Sequence, residues 1–228
     1  TALVMSWLNL RAYSFTVVDP YNFIKLKKQL KSKKINILKK APNQKDMKTF
    51  DIIIFAVKPQ IANDVLNEYE NFELKKNVLI GSIIAGKKIN FFKKRIKNTN
   101  QFVRIMPNMP ALIRNGISCF VSRSNLTLNN KKKLNELFLQ VGKTIWLKSE
   151  NQIDKATAVS GSGPGYIFTL IHAFEKAAQK LGFSKNQSGD LISSTMLGSI
   201  LLMQETRKEP NELAKEIAVK GGTTEAGI

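Results

Sequence analysis

Short apolar runs alternate with longer polar or amphipathic segments over the first two thirds of the chain. The run at residues 52–57 is apolar at every position, which is typical of a strand covered on both faces. The pattern predicts strands at residues 15–18, 35–38, 52–57, 78–84, 102–105, 117–121 and 144–147. Strands that alternate with helices form right-handed crossovers. We therefore expect an α/β fold with a Rossmann-like, doubly wound, mostly parallel sheet.

After residue 152 the apolar period changes, and the pattern predicts helices at residues 164–181, 187–205 and 210–218. We therefore expect two domains: a dinucleotide-binding, Rossmann-like domain over residues 1–152, and an all-helical dimerisation and substrate domain over residues 153–228. Side chains such as Leu197 and Leu201 make the second helix apolar on more than one face. This predicts burial against another subunit.

A formal net charge of +19 raises nucleic acid as a partner. The lysines, however, are spread through nearly every polar segment, and aromatic residues are not interleaved with them. We therefore expect no nucleic-acid partner, and a basic, non-enzymatic nucleic-acid-binding module is a remote alternative. The longest apolar runs fall far short of the roughly 20 residues that span a bilayer, so no membrane partner is expected either.

The single cysteine, Cys119, lies in an apolar run and cannot form an intrachain disulfide. A chain without disulfides fits a reducing compartment, which favours a cytoplasmic location. Cys119 itself is interpreted as a small buried hydrophobic residue.

Residues that directly follow the predicted strands are candidates for ligand binding, because ligands of doubly wound sheets bind beyond the carboxyl ends of the strands. Asp19 follows the first run and is either an acceptor for a ribose hydroxyl or a cap for the next helix. The other candidates after strands are Ala56, Val57, Lys58, Pro59, Ala85, Gly86, Pro107 and Asn108.

Two glycine-rich segments complete the candidate chemistry. Residues 159–166 predict a turn ahead of a helix N-terminus, where free amides attract an anion; an interdomain hinge is the alternative. The second segment, residues 220–226, predicts the same arrangement, with glycine amides and two threonine hydroxyls suited to a small carboxylate. No metal site is predicted.

Four segments resemble, in order, the pyrroline-5-carboxylate reductase family. They are DIIIFAVKPQ at 51–60, RIMPNMPALIRNG at 104–116, AVSGSGPGYIF at 158–168 and KGGTTEAGI at 220–228. The resemblance implies reduction of 1-pyrroline-5-carboxylate to L-proline, the last step of proline biosynthesis, with NADPH or NADH as cofactor. It also implies a homodimer with interlocking helical domains, or a larger ring of dimers.

The resemblance also implies roles for the candidate residues. Cofactor binding falls to Asp19 at the ribose, to Pro107 and Asn108 near the nicotinamide, and to Ala56, Val57, Lys58, Pro59, Ala85 and Gly86. Substrate binding falls to Ser162, Lys220, Gly221, Gly222, Thr223 and Thr224. Thr224 is the expected catalytic residue, with its hydroxyl bonded to the ring nitrogen. Because Asp19 would repel a 2′-phosphate, we expect a preference for NADH.

The sequence departs from the family pattern in two places. The family's first strand and G-x-G-N-M loop are expected ahead of Thr1, and its last helices beyond Ile228, so the chain is interpreted as a fragment that binds cofactor poorly. Val219 and Lys220 replace the usual Ser-Pro, and Lys220 is expected to attract the substrate carboxylate. A dehydrogenase of the beta-hydroxyacid type is the alternative, but it needs a catalytic lysine on the long helix, and Lys176 and Lys180 lie too far along it.

Overall fold

The computed structural model describes residues 2–30 and 35–228. It falls into two units, unit 1 (Thr1–Pro164) and unit 2 (Gly165–Ile228). The predicted domain boundary after residue 152 lies inside the helix Glu150–Ala156 and stays a prediction.

The strands of unit 1 match the seven predicted apolar runs. They are β1 (Phe15–Val18), β2 (Ile35–Leu38), β3 (Ile52–Phe55), β4 (Leu79–Ser82), β5 (Phe102–Pro107), β6 (Gly116–Val121) and β7 (Gly142–Trp146). β1 and β2 form a parallel pair, and the others form a five-stranded sheet in the order β3-β4-β5-β6-β7. Only the β5–β6 pairing within that sheet is antiparallel. The predicted mostly parallel α/β fold is confirmed.

Helices precede, connect and follow these strands. They are α1 (Ala2–Trp7), α2 (Phe23–Gln29), α3 (Gln44–Met47), α4 (Ala62–Tyr69), α5 (Ile89–Lys93), α6 (Leu128–Leu139) and α7 (Glu150–Ala156). Thr127 begins α6, because its hydroxyl accepts a hydrogen bond from the Asn130 amide at 3.2 Å. The Trp7 indole donates to the Leu137 carbonyl at 2.7 Å, which fixes α1 against α6.

The interior strand β4 shows why the sheet forms. All four of its residues are buried, and successive side chains enter different clusters. Leu79 packs with Val103 and Phe120, whereas Ile80 packs with Phe102 on the other face. A strand with apolar side chains on both faces is stable only where both faces are covered, as the continuous apolar run predicted.

The edges of β1 and β3 are less completely covered. Phe15 of β1 and Ile52 and Ile54 of β3 are half-buried and pack against the same cluster. Among residues 2–30 and 35–228, no strand pairs with β3 on the side opposite β4, or with β1 on the side opposite β2.

Unit 2 consists of helices, as predicted. They are α8, which begins at the unit boundary (Gly163–Lys180), α9 (Lys185–Thr206), α10 (Pro210–Ile217) and α11 (Thr223–Gly227). Ser184 and Gln187 form a reciprocal capping box that begins α9. Throughout the part of the chain that the structure describes, no helix combines the length and apolarity that crossing a membrane requires.

Candidate active site

The carboxyl ends of three neighbouring strands bring the predicted cofactor residues to one edge of the sheet. β3, β4 and β5 are parallel, and the Ile83 amide donates to the Phe55 carbonyl at 3.0 Å, which joins the ends of β3 and β4. The segments that follow these strands are solvent-accessible at this edge, where Ala56 and Ala85 are exposed and Asn108 is half-buried. The sequence-predicted segments after β3, β4 and β5 therefore share an edge.

The segment after β3 turns sharply into α4. Val57 is half-buried, whereas Lys58 and Pro59 are exposed. Pro59 starts a 3-10 turn, and the Ile61 amide donates to the Lys58 carbonyl at 3.2 Å. Proline suits this first position because it has no amide to leave unpaired. The exposed Lys58 side chain therefore lies beside this edge of the sheet.

The segment after β4 depends on Gly86. Its φ of 72° lies in the left-handed region, and no atom lies within 4 Å of the position that a Cβ would take. Glycine adopts this conformation without steric cost. The turn therefore leaves open space for another molecule beside exposed backbone.

Asn108 closes the loop between β5 and β6. Its Oδ1 accepts a hydrogen bond from the Ile117 amide at 2.9 Å, and its carbonyl accepts from the Ala111 amide at 3.1 Å. A Cβ on Gly116 would lie 2.7 Å from the Ala111 nitrogen, so only glycine permits this close approach. Asn108 is thus held rigidly, as a ligand-positioning residue requires.

Asp19 is not the helix cap that one of its two interpretations predicted, because the N-cap of α2 is Asn22 and the Asp19 carboxylate bonds within the turn ahead of it. Its Oδ1 accepts from the amides of Tyr21 and Asn22 at 3.0 and 2.9 Å, and its Oδ2 accepts from the Asn22 side chain at 3.2 Å. These bonds shape the turn that leads into α2. Contact with a ribose stays a prediction.

At residues 159–166 the predicted turn is wrong, whereas the predicted helix start is confirmed, because α8 begins at Gly163. Residues Thr157–Gly161 are π-helical and connect α7 almost directly to α8. The Thr157 and Ser160 hydroxyls donate to carbonyls four residues earlier, at 2.9 and 3.1 Å, and the Ser162 amide donates to the Thr157 carbonyl at 2.8 Å. These polar groups are satisfied within a wide helix turn, a feature often found at functional sites. Ser162 is exposed.

Cys119 lies behind this π-helical segment and is buried, as predicted. Burial raises the pKa of its thiol above the ordinary value, although a hydrogen bond with Ser160 acts in the opposite direction. Cys119 is therefore a packing residue rather than a reactive thiolate.

In unit 2 the glycine-rich segment turns into a short helix, as predicted. Gly221 has a φ of 77°, and Gly222 precedes α11. The Gly221 amide donates to the Glu225 carboxylate at 2.6 Å, and the Gly222 amide donates to the Val219 carbonyl at 2.9 Å. A carboxylate of the chain itself thus occupies one amide that was expected to hold substrate.

The remaining candidates of this segment differ in exposure. Lys220 and Thr223 are exposed, whereas Thr224 is half-buried. Thr224 therefore has the more enclosed hydroxyl of the two threonines.

A buried ionic group beneath the edge was missed by sequence reasoning. Arg104 of β5 contacts Asp154 and Glu150 of α7, and all three lie in unit 1. An arginine inside an apolar strand run was the signal available, but its partners lie far along the chain. Within residues 2–30 and 35–228, no group of three acidic, histidine or cysteine side chains is placed to hold a metal ion.

Comparison with known proteins decides the family. A family model described as pyrroline-5-carboxylate reductase dimerisation matches residues 150–228. The chain is 36% identical over 178 residues to the pyrroline-5-carboxylate reductase of Pseudomonas aeruginosa, a match that covers 78% of this chain. The chain belongs to the pyrroline-5-carboxylate reductase family. It spans 65% of the length of that Pseudomonas relative.

Solved structures of the pyrroline-5-carboxylate reductase family agree with this assignment. The Coxiella burnetii structure matches with a TM-score of 0.79 at 25% identity, covering 94% of this chain and 88% of that one. The Plasmodium falciparum structure, which has NADP bound, matches with a TM-score of 0.78 at 28% identity, covering 99% and 82%. The resemblance drawn from four sequence segments is therefore confirmed.

Proposed function

We propose that the protein reduces 1-pyrroline-5-carboxylate to L-proline by hydride transfer from NADPH or NADH. The alignment of Val57, Ala85 and Asn108 along the shared edge of β3, β4 and β5 carries the proposal, because this is where doubly wound sheets bind dinucleotides. Family membership supports the same reaction. It favours neither a beta-hydroxyacid dehydrogenase nor a basic nucleic-acid-binding module.

The residues at the edge fit a dinucleotide. The open turn at Gly86 admits close approach of a ligand to the backbone, and the exposed Lys58 offers a cation to an anionic group. Cofactor binding would involve the residues after β1, β3, β4 and β5, which are Asp19, Ala56, Val57, Lys58, Pro59, Ala85, Gly86, Pro107 and Asn108. The bound cofactor would supply the hydride, and the protein would supply orientation.

The substrate-binding candidates are residues 220–224 in unit 2 and, separately, Ser162 in unit 1. The Thr224 hydroxyl oxygen would accept a hydrogen bond from the ring N–H of the iminium, and Gly222 and Thr223 would hold the carboxylate. Glu225 already binds the Gly221 amide, so the substrate carboxylate must displace it or use the neighbouring groups. The substrate would enter as the protonated iminium, which accepts hydride more readily than the neutral imine.

We propose that the protein forms a homodimer, or a larger ring of such dimers, in the cytoplasm. The apolar side chains on α8 and α9 support self-association, since Phe174, Leu197 and Leu201 are all about half exposed or more in the single chain. The buried free thiol of Cys119 is compatible with a reducing compartment.

The reaction is tested by supplying the purified protein with 1-pyrroline-5-carboxylate and following oxidation of NADH and NADPH. Proline formation with either cofactor is expected, and its absence at high enzyme concentration would contradict the proposal. The expected preference for NADH is tested by the ratio of the two kcat/KM values. A higher value with NADPH would show that Asp19 does not discriminate.

Thr224→Ala tests the catalytic assignment. Loss of a hydrogen bond to a charged group should lower kcat about 10- to 100-fold while cofactor affinity is kept. Thr206→Ala is the matched control, because that hydroxyl donates to the Leu202 carbonyl at 2.8 Å and accepts from the Lys208 amide at 3.4 Å, both near the end of α9. An unchanged kcat in Thr224→Ala would remove the residue from the mechanism.

A further inference from the structure

Arg104 is a charged side chain buried in unit 1. It lies on β5 opposite Ser82, the last residue of β4, and its side chain is 7% exposed. Its Nη2 donates to Asp154 Oδ1 at 2.7 Å, and its Nη1 lies 4.0 Å from Glu150 Oε1. That Nη1 has no hydrogen-bond partner within the described ranges 2–30 and 35–228. Two carboxylates of α7 thus balance one buried guanidinium.

Glu150 extends the contact to the segment after β4. Its side chain is 8% exposed, and its Oε1 accepts a hydrogen bond from the Ile89 amide at 2.8 Å. Ile89 is the first residue of α5 and comes three residues after Gly86. The other oxygen lies 3.6 Å from Arg123 Nε, beyond β6. Glu150 therefore joins Arg104 to the turn that contains Ala85 and Gly86.

Asp154 extends the contact to the π-helical segment. It lies in the last turn of α7, directly ahead of Thr157–Gly161. The Thr157 hydroxyl contacts Met106 Sδ at 2.7 Å, and Met106 lies on the same face of β5 as Arg104 because side chains two apart share a face. Two contacts consequently fix this segment to β5, just before Asn108.

Burial of a paired charge is a poor source of stability, since an apolar side chain of similar shape often does as well. Its particular contribution is geometric, because a guanidinium with two fixed partners allows few arrangements. We propose that Arg104 is a positioning residue that, through Glu150 and Asp154, sets the turn at Ala85, the loop at Asn108 and the segment before Ser162 relative to one another. The inference rests on the proposed function, which assigns these three segments to cofactor and substrate.

The test combines amide hydrogen exchange with cofactor titration, neither of which depends on turnover. In Arg104→Met, exchange at Ile89 and over residues 157–162 should accelerate about 10-fold or more, while β4 stays protected. The dissociation constant for NADPH should rise about 10-fold or more, because small displacements of positioning groups are costly. Arg104→Lys keeps one charge contact and should recover part of both effects.

Lys133→Met is the matched control, because it removes a different ion pair of unit 1, with Asp51 at 2.8 Å. It should change neither readout. In case Arg104→Met does not fold, Asp154→Asn supplies a milder variant, since that side chain is 47% exposed. It should accelerate exchange over residues 157–162 more than at Ile89.

Unchanged exchange at Ile89 in Arg104→Met would overturn the proposal, because no coupling would then pass through Glu150. Faster exchange with unchanged NADPH affinity would overturn it as well, since the displaced segments would not serve the site. If the parent protein binds NADPH but forms no proline, the proposed reaction fails while exchange and affinity still decide the role of Arg104. If the parent protein binds neither NADH nor NADPH, the cofactor assignment fails and the positioning role fails with it.

Discussion

The two units of the chain differ in where their apolar side chains lie. In unit 1, Leu79, Ile80 and Phe120 are almost completely buried among strands and helices. In unit 2, whose residues are all described, only Ala178 and Ser188 are buried, and Leu197 is 60% exposed. Unit 1 therefore has its own core, whereas the helices of unit 2 need a further surface to cover them. The comparison indicates that unit 1 is stabilised by its own core and unit 2 by association with a further surface.

The largest expected effect is in the core of unit 1. Gly142 has a φ of 137°, and a Cβ there would lie 1.9 Å from the Gly116 carbonyl oxygen. Gly142→Ala should lower the free energy of unfolding by about 3 kcal/mol or more, because strain and overpacking add. Urea denaturation followed by tryptophan fluorescence measures this in unit 1 alone, since Trp7 and Trp146 are the only tryptophans.

Gly86→Ala is the control for Gly142→Ala. Its φ of 72° lies in the left-handed region and its surroundings are open, so the substitution should cost only about 1 kcal/mol. Equal losses in the two variants would show that the contact between β6 and β7 is not tightly packed.

The next largest effect should appear in unit 2 and only in association. Leu197→Lys combined with Leu201→Lys places two charges on the exposed apolar face of α9. Self-association should weaken about 100-fold or more, equivalent to about 2.7 kcal/mol, as measured by analytical ultracentrifugation. Asn186→Lys, at an exposed polar position of the same helix, should leave association unchanged. A double variant that associates normally would locate the covering surface elsewhere.

A smaller change in the free energy of unfolding is expected where each unit has an arginine in a left-handed backbone conformation. Arg114 has a φ of 63° in unit 1, and Arg207 has a φ of 55° in unit 2. Each replacement by glycine should relieve strain and stabilise its own unit by about 1 kcal/mol. Tryptophan fluorescence should therefore report Arg114→Gly but not Arg207→Gly. An equal response to both variants would mean that the units unfold together.

The smallest expected effect is the pH-dependent stabilisation of unit 1 by ion pairs at its surface. Hydrogen bonds from Lys133 and Lys75 hold the pKa of Asp51 below its ordinary value. This stabilisation is present above the unfolded-state pKa and is lost as pH falls through the lower folded-state pKa. Lys133→Met should cost about 0.5 kcal/mol at neutral pH, because the pair is partly exposed.

The difference between parent and Lys133→Met should shrink as the pH falls below about 4. Lys208→Met, which breaks an ion pair with Glu216 in unit 2, should leave the fluorescence transition unchanged. A constant difference at all pH values would mean that the lysine acts through packing instead.

Local pattern was enough to predict the strands and long helices. The apolar run at residues 52–57 and the helical spacing of Ile167, Leu170 and Phe174 each depend on neighbours in sequence, and both elements are confirmed. Position after a strand likewise located Lys58, Gly86 and Asn108 at the shared edge. These features follow from periodicity and from parallel strand ends.

Features that depend on distant partners could not be predicted in this way. The carboxylates of Glu150 and Asp154 meet Arg104 only after folding, and the Glu225 carboxylate meets Gly221 because of one particular turn. The π-helical segment was mistaken for a turn because Gly and Ser also favour turns. The hydroxyls of Thr157 and Ser160 bond within the helix instead.

Because β6 runs antiparallel to β5, the loops of the sheet lie at two different ends, and sequence changes have different consequences at each end. Because β6 and β7 run opposite to β5, the connections that follow them leave from the far end of the sheet. Within the connection at residues 122–127, Arg123 contacts Glu150 and Thr127 begins α6, so the remaining positions are the ones that can change without altering Val57, Ala85 or Asn108. The direction of β6 thus separates the loops that carry the proposed site from a loop at the other end of the sheet.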